Sequence, residues 1–223
     1  MIQHHPHDDL LLGLAAGGLS AGQSLVVASH LEQCAACRER MAMLEAVGGI
    51  LLEEAMPAVL APDAFARTLG AIDAIPQTAV APVRRVRSEV GANFPALPAG
   101  MRWPQAFRGC SVTRWRWLGP GMRWSRVTLP HDPDANVFLL RIGAGKKLPE
   151  HTHSEIELTQ VLYGSFDDGR SVFGPGDFDE ADGTIQHQPV VHANSECICL
   201  ASVDGRVMFK GAIARTLGAL VGM

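Results

Sequence analysis

Five prolines fall between Pro76 and Pro104, and the texture of the chain differs on their two sides. Before them, apolar residues recur at helical spacing. After them, from about Val112, short β-branched and aromatic runs alternate with turn residues. A chain ordered this way builds a helical unit and then an all-β unit, not a parallel sheet of βαβ repeats. The fold class expected is α+β in two domains, a helical unit at 1–78 and a β unit at 105–223. The stretch 79–104, with its basic run RRVR, reads as a Pro-rich tether.

The helical part has legible punctuation. DDLLLGLAAG opens on two acids and ends at Gly17-Gly18. SAGQ at Ser20–Gln23 has capping-box spacing and starts a second helix, SAGQSLVVASHL. A third runs through ACRERMAMLEAVGGILLEEAM, with Met41, Leu44 and Val47 near one face. A fourth, PDAFARTLGAIDAI, carries Pro62 and Asp63 in its first turn. In the β part, SVTRWRW, RWSRVTL, NVFLLRIG, ELTQVLYGSF, RSVFGPGDF, TIQHQPVV, CICLASV and RVMFKG predict about eight strands of a sandwich or barrel. The last residues, 212–223, read as a short helix.

At 223 residues, 47% apolar and 19% charged, the chain can bury a core and is not expected to be disordered. No apolar run approaches the ~20 residues of a membrane span. The start, MIQHHPHDD, lacks the basic and apolar regions of a signal peptide, so a cytoplasmic protein with no membrane contact is expected. Residues 1–75 hold three arginines against nine acids, a local charge of −6 in a chain of −4. Such a unit does not suit direct nucleic-acid binding, which needs Lys and Arg for phosphates; it suits a basic protein partner.

Five cysteines, an odd and unevenly spaced set, do not form a disulfide framework. Cys34 and Cys37 follow His30 in HLEQCAAC. A redox pair would need a strand before it, and here helices lie on both sides. Small core thiols are the other competing reading. Imidazole and thiolate are the donors zinc prefers, and a structural site needs four. His4, His5 and His7, just ahead of the first helix, each offer the fourth. A metal there would staple helices of a unit too small for a generous core.

An N-terminal histidine followed about 25 residues later by H-x3-C-x2-C in a short helical unit resembles the zinc-binding anti-sigma domain. AAGGLSAGQSLVVASHLEQCAACRERMAMLEAVGGILLEEA is similar to anti-sigma factors of the ChrR type. The resemblance implies His5, His30, Cys34 and Cys37 as zinc ligands. It also implies a 1:1 complex with an extracytoplasmic-function (group IV) sigma factor.

A second donor set lies in GAGKKLPEHTHSEIELTQVLYG. His151 and His153 alternate as on one face of a strand, and Glu157 shares their parity, with Glu155 as its rival. The frame G-x5-H-x-H-x3-E-x6-G, from Gly145 to Gly164, resembles the first cupin motif. The second motif is partial. GPGD at Gly174–Asp177 matches its turn, but the nearest later histidine is His187 in TIQHQPV. A late histidine is shared with the ChrR type, so the resemblance implies a cupin-like barrel or jelly roll. The implied site is His151, His153, Glu157 and His187, holding zinc or another divalent metal. Cys197 and Cys199 alternate on a strand and read as packing, with redox sensing as the competing reading. Trp103, Trp115, Trp117 and Trp124 read as packing the barrel or its edge, and His131 and His192 as solvent-facing.

The resemblance implies a non-enzymatic regulator. It would sequester a sigma factor from core RNA polymerase and release it on an oxidant such as singlet oxygen or a hydroperoxide. The competing reading is a cupin oxygenase or isomerase, since three histidines and a glutamate also serve metal enzymes. The helical zinc unit argues against it, because a simple cupin enzyme has no use for one.

Overall fold

The computed structural model describes residues 1–75, 90 and 94–210. The RRVR run and the helix expected over 212–223 lie outside them. Among the described residues four helices come first: α1 (Asp8–Ala15), α2 (Ala21–Leu31), α3 (Ala35–Glu54) and α4 (Ala64–Ala74). Ser20 and Gln23 form the reciprocal capping box that opens α2. Cys34 caps α3, its Sγ accepting from the amide of Cys37.

A 3₁₀ turn (Gln105–Phe107) precedes the strands. They are β1 (Ser111–Val112), β2 (Arg116–Gly119), β3 (Met122–Thr128), β4 (Val137–Ile142), β5 (His151–His153) and β6 (Glu157–Tyr163). Then come β7 (Phe166–Asp167), β8 (Val172–Phe173), β9 (Phe178–Ala181), β10 (Val190–Val191), β11 (Cys197–Val203) and β12 (Val207–Phe209). The main sheet is antiparallel in the order β1-β3-β4-β11-β6-β9, with β2 also on β3. Smaller sheets, β10-β7-β8 and β12-β5, complete the β unit. SVTRWRW is split: β1 and β2 both pair with β3 but are separated by an irregular Thr113–Trp115 segment.

The strand CICLASV is buried along its whole length because both faces of the main sheet are covered. Ile198 and Leu200 face one core with Leu11, Val26, Val27, Leu139 and Leu158. Cys197, Cys199, Ala201 and Val203 face the other, with Phe138, Leu140, Phe166 and Phe173. Helices α1 and α2 therefore lie on the outer face of the sheet. Gly22 marks the closest approach: a Cβ there would meet Ser202 Oγ at 2.4 Å and Val137 Cγ2 at 2.9 Å. Gln23 adds a hydrogen bond to Asp204, and the Glu32 carboxylate accepts from the amides of Gln105 and Ala106. Phe94, Trp103 and Phe107 form a cluster of rings against this core.

Helices α3 and α4 behave differently. Cys37 is the buried residue of α3, and no residue of α4 is buried. Met43, Val47, Ile50 and Leu51 form an exposed stripe along α3, and Phe65, Leu69 and Ile72 another along α4. Val47 thus leaves the half-buried company of Met41 and Leu44. Two tryptophan and histidine expectations need correction. Trp117 is 69% exposed, because β2 pairs on one side only and turns this ring outward. His192 is half-buried and bonds Ser165 Oγ at 3.0 Å, while His131 is exposed as expected.

Candidate metal centres

The first donor group is assembled from three places. His30 comes from the last turn of α2, Cys34 and Cys37 from the start of α3, and His5 from the extended segment before α1. His5 Nδ1 lies 3.3 Å from Cys34 Sγ and 3.4 Å from Cys37 Sγ; His30 Nε2 lies 3.4 Å from Cys37 Sγ. Around zinc, with bonds of about 2.3 Å to sulfur and about 2.0 Å to nitrogen, an N–S edge of a tetrahedron is about 3.5 Å. The four donors fit such an ion. His4 instead packs against Phe173, and His7 faces Glu180, so neither neighbour reaches the thiols.

Burial pushes His30 down to about 4, against a hydrogen bond to the Gly176 carbonyl that acts the other way. Burial and then the neighbouring Cys34 push the Cys37 thiol up to about 12. A neutral imidazole suits a cation, and a buried thiol loses its proton when a metal supplies the charge.

The position of His5 depends on the β unit. Asp177, in the GPGD turn between β8 and β9, accepts from the amides of Gln3 (2.6 Å) and His4 (3.0 Å). The Phe178 amide donates to the His4 carbonyl, and the Phe178 ring stands edge-on to His30. The part-matching motif thus cradles the N-terminal segment. Nothing local in GPGD signals this use of Asp177, whose partners Gln3 and His4 lie more than 170 residues away.

The second donor group lies between the layers of the β unit. His151 and His153 point from β5, Glu157 opens β6, and His187 comes from the irregular segment between β9 and β10. The Nε2 atoms of His151 and His187 are 3.1 Å apart, those of His153 and His187 are 3.3 Å apart, and Glu157 Oε2 is 2.8 Å from His153 Nε2. Edges of about 2.9 Å suit an octahedral ion and about 3.3 Å a tetrahedral one, so the set fits a divalent metal without selecting which. All four residues are buried, whereas the rival Glu155 is exposed. The framing glycines Gly145 and Gly164 both have positive φ, 68° and 71°, which is why glycine stands there.

Burial opposes the charge of Glu157, but hydrogen bonding to His153 and the nearby imidazoles outweigh it and hold the carboxyl at about 2. His151, Glu157 and His187 form the polar floor of a cavity walled by Leu118, Met122, Phe138, Leu140, Leu148 and Phe209. Cys199 also lines it. Its Sγ lies 3.6 Å from that of Cys197, and this contact with burial raises the thiol well above its ordinary range. Packing is the role these two sulfurs show. A cluster that sequence reasoning missed stands behind His187: Arg170 joins the buried carboxylates of Asp168 and Asp179.

Among the described residues, no helix is long and apolar enough to cross a membrane. Residues 105–204 match the family described as the ChrR cupin-like domain. The anti-sigma-E factor ChrR of Cereibacter sphaeroides is 39% identical over 214 residues, which are 96% of this chain and 95% of that protein. The crystal structure of Rhodobacter sphaeroides SigE in complex with the anti-sigma ChrR aligns at 36% identity with a TM-score of 0.68. That alignment covers 92% of this chain and 100% of the matched one.

Proposed function

This chain belongs to the family of ChrR-type anti-sigma factors, and we propose that it binds a group IV sigma factor 1:1 and keeps it from core RNA polymerase. The observation that carries the reading is the pair of unpartnered apolar stripes on α3 and α4. Isolated amphipathic helices are held by the packing of their apolar face, and among the described residues nothing packs on these two stripes. A protein partner supplies it. The acidic balance of residues 1–75 complements the basic surfaces with which a sigma factor meets DNA.

In this reading His5, His30, Cys34 and Cys37 hold a structural zinc. When bound, the ion neutralises two thiolates and ties α2, α3 and the N-terminal segment together. His151, His153, Glu157 and His187 hold a second divalent metal, zinc or another. The β unit is a sensor in the cytoplasm, not a catalytic centre, and an oxidant such as singlet oxygen or a hydroperoxide is the releasing signal. Thiolates at the first site and imidazoles at the second are the oxidisable groups. To drive release, the signal must favour the free form over the bound one.

Co-expression with a group IV sigma factor encoded beside this chain, followed by co-purification and in vitro transcription, tests the proposal. A stable complex with transcription blocked is expected; no complex with full transcription would refute it. For the sensing part, His151→Ala and Glu157→Ala should keep sigma binding and change the response to oxidant. Normal induction by both variants would remove the second site from the pathway.

A further inference from the structure

Three donors of the second group are placed by regular structure. His151 and His153 lie on β5, paired with β12, and Glu157 opens β6 in the main sheet. His187 has only an isolated bridge, a pair of 3.1 Å backbone hydrogen bonds with His151, in an otherwise irregular segment. That bridge places its Cα but leaves the ring free to turn about its side-chain bonds. The ring's Nδ1 is buried and lacks a well-formed hydrogen bond. Facing it at 3.5 Å is Oδ2 of Asp168.

Asp168 is itself held from several directions. Its Oδ1 accepts from the amides of Arg170 (2.9 Å) and Ser171 (3.0 Å), and its Oδ2 accepts from Arg170 Nε (2.6 Å). The same guanidinium is anchored on both oxygens of Asp179 at 2.8 Å. Asp168, Asp179 and His187 have the residue types of a third metal group. Arg170 already supplies the cation between the two acids, so this cluster reads as a support rather than a site.

We propose that Asp168 is the positioning residue of the second metal site, accepting the Nδ1–H of His187 and so presenting Nε2 to the metal. The inference rests on the metal reading given above. A ligating Nε2 must keep its lone pair free, so the ring proton sits on Nδ1, and a buried N–H needs an acceptor. Asp168 is that acceptor, and Arg170 with Asp179 keeps it in place. This arrangement does for the late histidine what strand geometry does for His151 and His153.

The test uses the full-length chain loaded with cobalt. Cobalt–thiolate charge-transfer absorption reports the first site alone, and total metal after dialysis against graded chelator reports both. Asp168→Asn, which keeps the shape and one neutral acceptor, should weaken the second site about 10-fold, and Asp168→Ala by up to about 100-fold, with the thiolate band unchanged. In the zinc form, the downfield proton signal of the His187 ring N–H should be present in the parent chain and lost in Asp168→Ala. A folded Asp168→Ala that binds the second metal as tightly as the parent would overturn the proposal. Should that variant not fold, the isosteric Asp168→Asn decides by the same criterion. If the parent and His151→Ala hold equal metal, the metal reading itself fails and the role of Asp168 falls with it, a result distinct from an unaffected Asp168 variant.

Discussion

Nδ1 of His30 lies 2.9 Å from the carbonyl oxygen of Gly176, so a donor of the first group is oriented by a turn of the β unit. This is the outer-shell bond expected of a metal-ligating histidine, here supplied across 146 residues. The next residue, Asp177, holds the segment that carries His5. Two of the four donors are therefore set by one turn.

Asp177→Ala removes the acceptor shared by the Gln3 and His4 amides. We expect first-site affinity to drop about 10-fold or more, in the range seen when outer-shell partners are lost, while the second site stays within a few-fold. Cobalt titration with thiolate charge-transfer detection distinguishes the two. Equal affinity at the first site would mean that His5 is positioned by other contacts.

Leu51→Glu and Phe65→Glu fall on the open stripes, at residues 64% and 76% exposed. The stability of the free chain should change by no more than about 0.5 kcal/mol. Sigma-factor affinity should fall by about 30-fold or more, as for central apolar contacts of an interface. Calorimetric melting and binding measured on the same preparations check both halves.

The metal-stripped chain should lose stability as pH falls from about 6.5 to about 4. His30 is neutral when folded and binds its proton at about 4, whereas the unfolded chain binds it near 6.5. Between those values the unfolded state holds more protons, so acid favours unfolding; below about 4 both states are protonated and the slope from this group ends. The span corresponds to roughly 3 kcal/mol. Urea melts across this range should show the decline, and a flat profile would refute it.

Glu157→Gln should abolish tight binding of the second metal, and Glu155→Gln should not. The two carboxylates share parity in the sequence, but only Glu157 is buried beside His153, at 2.8 Å. Elemental analysis after dialysis settles which carboxylate is used.

Gly22→Val would drive new methyl groups into Ser202 and Val137, where even a Cβ is too close. A cost of about 1–3 kcal/mol is expected from overpacking, read as a lower denaturant midpoint. An unchanged midpoint would show that α2 can lift from the sheet without loss.

Much of this architecture is legible in local chemistry. The capping box at Ser20 and Gln23 announces α2, and acids at Asp8 and Asp9 announce α1. The short apolar run CICLASV between turn residues signals a strand, and His151-x-His153 signals a shared face. These features act over a few residues, so spacing and composition carry them. The tether expected near Trp103 is less legible: the ring cluster of Phe94, Trp103 and Phe107 forms against helices and sheet that no local pattern announces.

By itself, the sequence determined the order of helices and strands, the two sets of metal-type donors and the resemblance that groups them. Only the tertiary structure decided which N-terminal histidine faces the thiols, and which of Glu155 and Glu157 is buried. It alone placed Asp168 behind His187, set Gly176 and Asp177 beneath the first site, and left α3 and α4 open. The physical reason is range. Helix caps and strand parity are set by neighbours within a turn or a pleat, whereas burial and ligand orientation depend on groups brought together from distant parts of the chain.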